Sequence, residues 1–236
     1  MSRMDLPMQS WTPVPQVVAR KIQKMILNGD LAAGERIPSQ RLLSERFNVS
    51  RASLREALLT LETLGLIRTE PGRGTFVADG KPQGSETKLK WRYSDSFAMR
   101  DVFETRLMLE SQIARHATAL ITAEAISALT SATDTMESCW NTGDVLANVE
   151  ADVLFHRTLA DSCANQMLIL LYDTVQSLLA ETQRLPIPRT HPNRMRASIG
   201  EHRDIIAALI GRDASVVEAA MIRHIRNTAE CGGISV

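Results

Sequence analysis

Several features that would place the chain outside the cell or in a bilayer are scarce or missing. There are three cysteines in 236 residues, Cys139, Cys163 and Cys231. Their number is odd and no C-x-x-C spacing occurs, so neither a disulfide framework nor a thiolate zinc site is signalled. No apolar run reaches the about 20 residues that a bilayer requires, because Asp173 and Gln176 interrupt the most apolar stretch, Met167 to Ala180. The amino-terminal region has no basic stretch followed by an apolar one, so a signal peptide is not expected. A cytoplasmic protein with no membrane segment is expected. Charge of one sign is missing too: 27 Lys+Arg stand against 27 Asp+Glu, so no overall basicity points to nucleic acid. Aromatic residues make up 4% while hydrophobic ones reach 44%. The apolar share is carried by Ala, Leu, Ile, Met and Val, which suits packed helices better than a sandwich or barrel. A mainly α fold follows.

What is present divides the chain in two. Residues 1 to 80 carry 11 basic and 8 acidic side chains, and the remainder 16 and 19, a mild asymmetry that by itself supports DNA binding only weakly. From Val14 to Leu27 apolar residues recur at helical spacing and Asn28-Gly29-Asp30 ends the run. Ser39 is placed to cap a second helix running to Phe47, and Asn48-Val49-Ser50 turns the chain into a third, Arg51 to Leu64. Leu66 to Glu70 and Thr75 to Val77 read as two short strands around Pro71-Gly72-Arg73-Gly74. These elements predict a winged helix-turn-helix over residues 1–78. Residues 79–95, rich in Gly, Lys, Pro, Ser and Gln, are expected to form a linker. Residues 96–236 are expected to be an all-helical bundle of about six long helices. The three prolines between Leu185 and Pro192 predict a surface loop there.

In the first part, Leu42, Leu43, Phe47, Val49, Leu54, Ala57 and Leu58 are positioned to pack two helices at a steep angle and to expose the start of the second to a major groove. Arg51 and Arg55, four apart on one face with Ser53 between them, offer guanidinium donors to guanine O6 and N7. Arg41 on the preceding helix is placed for the same groove or a phosphate. Gly74 and its neighbour Gly72 allow a wing to approach the sugar-phosphate chain while Arg73 supplies charge. Each arginine alone reads equally as a solvated face; the spacing of turn and wing favours DNA.

In the second part, Asp152 and His156 lie four apart, on one helical face and about 6 Å apart along the axis. His202 and His224 each stand eleven residues from Asp213 in the turn between the last two helices. If these helices run antiparallel, the two imidazoles come side by side, and both replace an apolar residue on an inward stripe. A single inward histidine is usually a core residue. Three imidazoles and a carboxylate together suit a divalent ion, zinc or nickel above others. Arg106 can pair with Glu110 on its own helix. His116 is expected to be structural and His191 solvated.

Residues Val14 to Val77 resemble the GntR family of bacterial regulators through Pro38-Ser39, Val49-Ser50-Arg51, Leu54-Arg55-Glu56-Ala57-Leu58, Leu64-Gly65-Leu66 and Gly72-Arg73-Gly74-Thr75-Phe76-Val77. The resemblance implies a homodimer on double-stranded operator DNA, with Arg41, Arg51, Arg55 and the wing around Gly74 in contact. Residues Phe97 to Glu230 resemble the FCD effector-binding domain of the FadR subfamily through Asp101-x4-Arg106-x3-Glu110, Asp152-x3-His156-x2-Leu159-Ala160, Glu201-His202-Arg203 and Arg223-His224. That resemblance implies a metal held by Asp152, His156, His202 and His224, and an effector, a small organic acid, held in part by Arg106. The expected function is a ligand-responsive repressor of a catabolic operon. A metal-dependent hydrolase and an architectural DNA-binding protein are the alternatives.

Overall fold

The computed structural model describes residues 14–79, 91 and 93–236; most of the expected linker, 79–95, lies outside them. The described residues fall into two compact units, 14–62 with 66–79, and 63–65 with 91 and 93–236.

The first unit contains α1 (Val14–Leu27), α2 (Gln40–Phe47), α3 (Arg51–Thr63), β1 (Ile67–Glu70) and β2 (Gly74–Val77). Ser39 caps α2 by accepting from Leu42 N, as its sequence position predicts. Asn48 then takes a left-handed conformation at φ 51°, and Ser50 starts α3 by accepting from Ser53 N at 3.0 Å. This three-residue turn sets the angle between the two helices. Ile22, Leu43, Leu54, Ala57, Leu61 and Ile67 are all buried to within 1%, each large aliphatic one stabilising the unit by about 1.5–3 kcal/mol. Leu42, expected in this core, is half exposed at the surface instead. The following Leu43 fills the inward position.

The strands pair antiparallel, with Ile67 opposite Val77 and Glu70 opposite Gly74. Arg73 N donates to Glu70 O at 3.0 Å across Pro71-Gly72, and Gly72 has φ 74°, as a type II turn demands. Ile37 N donates to Thr75 O and Val77 N to Glu35 O, so the chain ahead of α2 lies along the outer edge of β2.

The second unit contains α4 (Met99–Ala117), α5 (Ala123–Thr142), α6 (Val145–Asp161), α7 (Gln166–Arg184), α8 (Pro192–Gly211) and α9 (Ala214–Cys231). Thr122, Asp144, Asn165 and Asp213 cap α5, α6, α7 and α9 through their side chains. Helix α4 packs against α6, α7 and α9, while α8 packs against α5 and α9. Phe103, Phe155, Leu159, Ile205, Leu209 and Met221 fill the centre.

Two expectations need correction. The proline segment is not all loop: Ile187–Arg189 forms a 3-10 turn and Pro192 opens α8. Proline is excluded from a helix interior but fits a tight turn and a first helical position, where no donor is needed. His116 is exposed at the surface, as is His191, so it contributes nothing to the core. Among the described residues no helix is long and apolar enough to cross a membrane.

Candidate metal centre and nucleic-acid interface

In the first unit, Arg51 and Arg55 are exposed on the opening turns of α3, and no ion pair engages them among the described residues. Arg41 is exposed but paired with Glu45 at 2.9 Å. Ser53 serves the helix start, its hydroxyl 2.9 Å from the Ser50 Oγ that caps it. At the wing, Glu70 pairs with both Arg68 and Arg73. Both guanidinium groups lie over the Phe76 ring, at 5.2 and 5.9 Å from its centroid. Gly74 has φ 121°, and a Cβ there would come within 2.7 Å of Arg36 Nε. Glycine is required there by the positive φ, while the Arg36 guanidinium that a Cβ would meet is the movable end of a flexible side chain.

In the second unit, Asp152 and His156 project from α6, His202 from α8 and His224 from α9. Their ligand-competent atoms lie within 4.8 Å of one another. The mirrored spacing of His202 and His224 around Asp213 places their rings 4.4 Å apart, and His156 stacks on His224 at 5.4 Å. All three imidazoles are buried to within 2%.

What orients them lies one layer outward. His202 Nδ1 donates to Ser198 O at 2.8 Å, and His224 Nδ1 donates to Glu201 Oε2 at 3.0 Å. His156 Nδ1 lies 2.8 Å from Glu110 Oε2, close but out of line for a hydrogen bond. With acceptors on the Nδ1 side, the Nε2 lone pairs turn toward Asp152. His202 Nε2 comes within 2.9 Å of Asp152 Oδ1 without a hydrogen bond, and His224 Nε2 is likewise buried with no hydrogen-bond partner. An unpartnered buried nitrogen costs about 1–3 kcal/mol; a cation with nitrogen and oxygen ligands would satisfy it. The donor set fits zinc, nickel or a similar divalent ion.

Arg106 on α4 is wholly buried. Its Nε faces both Glu110 oxygens at 3.2 Å, Nη1 donates to Thr182 Oγ1 at 3.0 Å, and Nη2 donates to His156 Nε2 at 2.9 Å. The pair with Glu110 that the sequence allows is thus formed, and the same guanidinium reaches the histidine cluster.

Glu201, Arg194, Asn227 and Thr182 were not singled out as site residues from the sequence. Glu201 and Asn227 stand twelve and fourteen residues from Asp213, an unequal spacing that the mirror rule does not single out, and Thr182 leaves no comparable signal. A narrow cavity of about 40 Å³ opens beside the cluster. It is lined by Asp152 and His224, with Asn148, Gln183, Thr190 and Arg194 among its polar walls.

Burial alone would raise the Asp152 carboxyl, but the His202 ring at 2.9 Å, with His156 and the Arg106 guanidinium close by, holds it well below the usual range. Burial likewise opposes ionisation of Glu110 and Glu201. Arg106 and His156 overcome it at Glu110, and His224 and Arg194 at Glu201, lowering each to about 2. Burial, reinforced by the His202 charge, lowers His224 to about 3. The two kinds of shift act in one direction. Unfolded His224 takes up a proton near 6.5 that the folded chain resists down to about 3, and the two carboxylates stabilise the fold above 4.5 and lose that contribution as pH falls toward 2. With chelator present, the thermal midpoint read by circular dichroism is expected to fall continuously below pH 6.5. A midpoint unchanged down to pH 4 would contradict these assignments.

Comparison with known proteins gives a consistent result. Residues 15–77 match the model for bacterial regulatory proteins of the gntR family, and residues 101–227 match the FCD domain. The chain is 31% identical to the HTH-type transcriptional regulator LutR of Bacillus subtilis, over 87% of this chain and 95% of that one. It is 27% identical to the Uxu operon transcriptional regulator of Escherichia coli, over 91% and 85%. Among solved structures, E. coli McbR/YncC shares the fold at TM-score 0.54 and 16% identity, covering 94% of this chain and 98% of that chain.

Proposed function

Because the chain belongs to the GntR family of bacterial regulatory proteins, with an FCD domain in its second part, we propose that it is a metal-dependent repressor, relieved by a small carboxylate. It is a transcriptional regulator, and its relatives are regulators, not enzymes, which leaves the hydrolase alternative without support. In this reading a homodimer in the cytoplasm holds the two halves of an operator beside a catabolic operon. Arg51 and Arg55 read base edges, while Arg41, Ser53, Arg73 and Gly74 engage the flanking duplex. The domain boundaries 1–78, 79–95 and 96–236 belong to the same proposal.

The observation that carries the sensing half is the convergence of three buried Nε2 atoms and one carboxylate, with His224 Nε2 unpartnered. Asp152, His156, His202 and His224 would hold the ion. A divalent ion with one Asp and three neutral His leaves a net charge of +1 beside the cavity, and the ion would supply Lewis acidity toward a carboxylate oxygen. Arg106, whose Nη2 donates to His156 Nε2 at 2.9 Å, would have to give that nitrogen up to the ion before the freed N–H could meet the same oxygen. Binding would favour one arrangement of the dimer over another and so change operator affinity. The architectural alternative predicts no such coupling.

The test is fluorescence anisotropy on duplex taken from around the chain's own gene. Arg51→Ala and Arg55→Ala are each expected to weaken specific binding by about 1–3 kcal/mol. A carboxylate that binds the zinc-loaded protein should weaken wild-type binding to that duplex. Unchanged affinity in both variants, or indifference of the complex to every acid that the protein binds, would overturn the respective half of the proposal.

A further inference from the structure

One wall of the cavity carries a cation that the metal reading leaves unused. Arg194 stands in the first turn of α8, where the aligned peptide dipoles disfavour positive charge. It is held there by Glu201, to which Nη1 and Nη2 donate at 2.8 and 2.9 Å. Glu201 also accepts from His224 Nδ1 at 3.0 Å and from Asn227 Nδ2 at 2.7 Å. Its acceptor sites are therefore filled. A guanidinium has five N–H donors, and beyond the two given to Glu201 those of Arg194 have no partner among the described residues. Arg106 differs in place: it is wholly buried, bonded to Glu110, Thr182 and His156, and is not on the cavity wall. The residues lining the cavity thus include His224, whose Nε2 is unpartnered, and Arg194, which has N–H donors beyond those given to Glu201.

We propose that Arg194 is the specificity-determining residue for the effector, donating to an oxygen at the end of the molecule away from the metal-held carboxylate. This rests on the effector reading above. Charge decides which oxygen. The ion with Asp152 leaves +1, which one carboxylate cancels, while Arg106 with Glu110 and Arg194 with Glu201 are each neutral pairs. A second carboxylate would bring an uncompensated charge into a confined space, which is costly. A hydroxyl or carbonyl oxygen accepts from Arg194 without that cost. The cavity volume restricts the molecule to a short chain.

Calorimetry on the zinc-loaded full chain, with propionate, 3-hydroxypropionate and succinate as probes, tests this. The wild type is expected to bind 3-hydroxypropionate at least about tenfold tighter than propionate, since a site built to bond an oxygen rejects the analogue lacking it. Succinate should bind no tighter than 3-hydroxypropionate. Arg194→Met should bring 3-hydroxypropionate to the level of propionate measured on the same variant, and Arg194→Lys, which keeps a cation beside Glu201, should keep part of the preference. Absence of a preference in the wild type, tighter binding of succinate, or survival of the preference in Arg194→Met each overturns the proposal. So does loss of zinc in Arg194→Met, which would make the residue a support for Glu201 and His224. If no probe binds the wild type at all, the effector reading itself falls; if propionate binds without discrimination, only the role of Arg194 does.

Discussion

Replacing Arg106 by Met is expected to cost the second unit about 3–5 kcal/mol, the largest loss from any single side chain in the cluster. The guanidinium is wholly buried, and its partner Glu110 is 3% exposed. Removing the arginine would leave a carboxylate in the bundle centre with His156 beside it and no fixed positive charge. The loss therefore reflects the stranded partner more than the worth of the pair. Arg106→Met combined with Glu110→Gln is accordingly expected to recover a large part of the stability. Urea unfolding followed by circular dichroism measures both. A single variant as stable as the wild type would show that Glu110 is not ionised, and a double variant no better than the single would show that the arginine acts through packing alone.

Metal loading is expected to produce the next largest effect. An ion that binds the folded chain and not the unfolded one stabilises it by about 4 kcal/mol when present at 1,000 times its Kd. For a chain of this size that corresponds to roughly 8–16 °C in Tm. His202→Ala and His224→Ala should each remove most of the bound zinc and most of this shift, with binding of DNA retained. His116→Ala, at an exposed site, is the control and should change neither. Elemental analysis of the purified variants and thermal melts with and without zinc give the result. Full zinc content in both cluster variants would place the ion elsewhere.

The division between what could be read in the sequence and what could not follows the range of the interactions. The helix-turn-helix was legible because its signals are local: Ser39 and Ser50 cap the helices they precede, and Asn48 takes the left-handed turn that its type favours. The pairing of His202 with His224 was legible because a helical hairpin converts sequence distance from its turn into spatial register. Leu42 was misplaced because α2 is short, and on two turns a neighbouring leucine can claim the inward position. Arg194 left no signal, since its contact with Glu201 spans two turns of a helix and its relation to the cavity depends on three other elements. The requirement for glycine at 74 is legible as the positive φ of a hairpin tip, whereas the nearness of the Arg36 side chain is not, because it comes from a segment distant in sequence.

The sharing of Glu70 between Arg68 and Arg73, above one aromatic ring, bears on how the hairpin tip meets a polyanion. One carboxylate offsets one of the two guanidinium charges, so the tip keeps a net charge of about +1 and a phosphate there competes with an anionic partner already in place. Fewer ions are then released from the nucleic acid's condensed atmosphere than a count of arginines would suggest, and the ionic-strength dependence of complex formation comes mainly from the recognition helix.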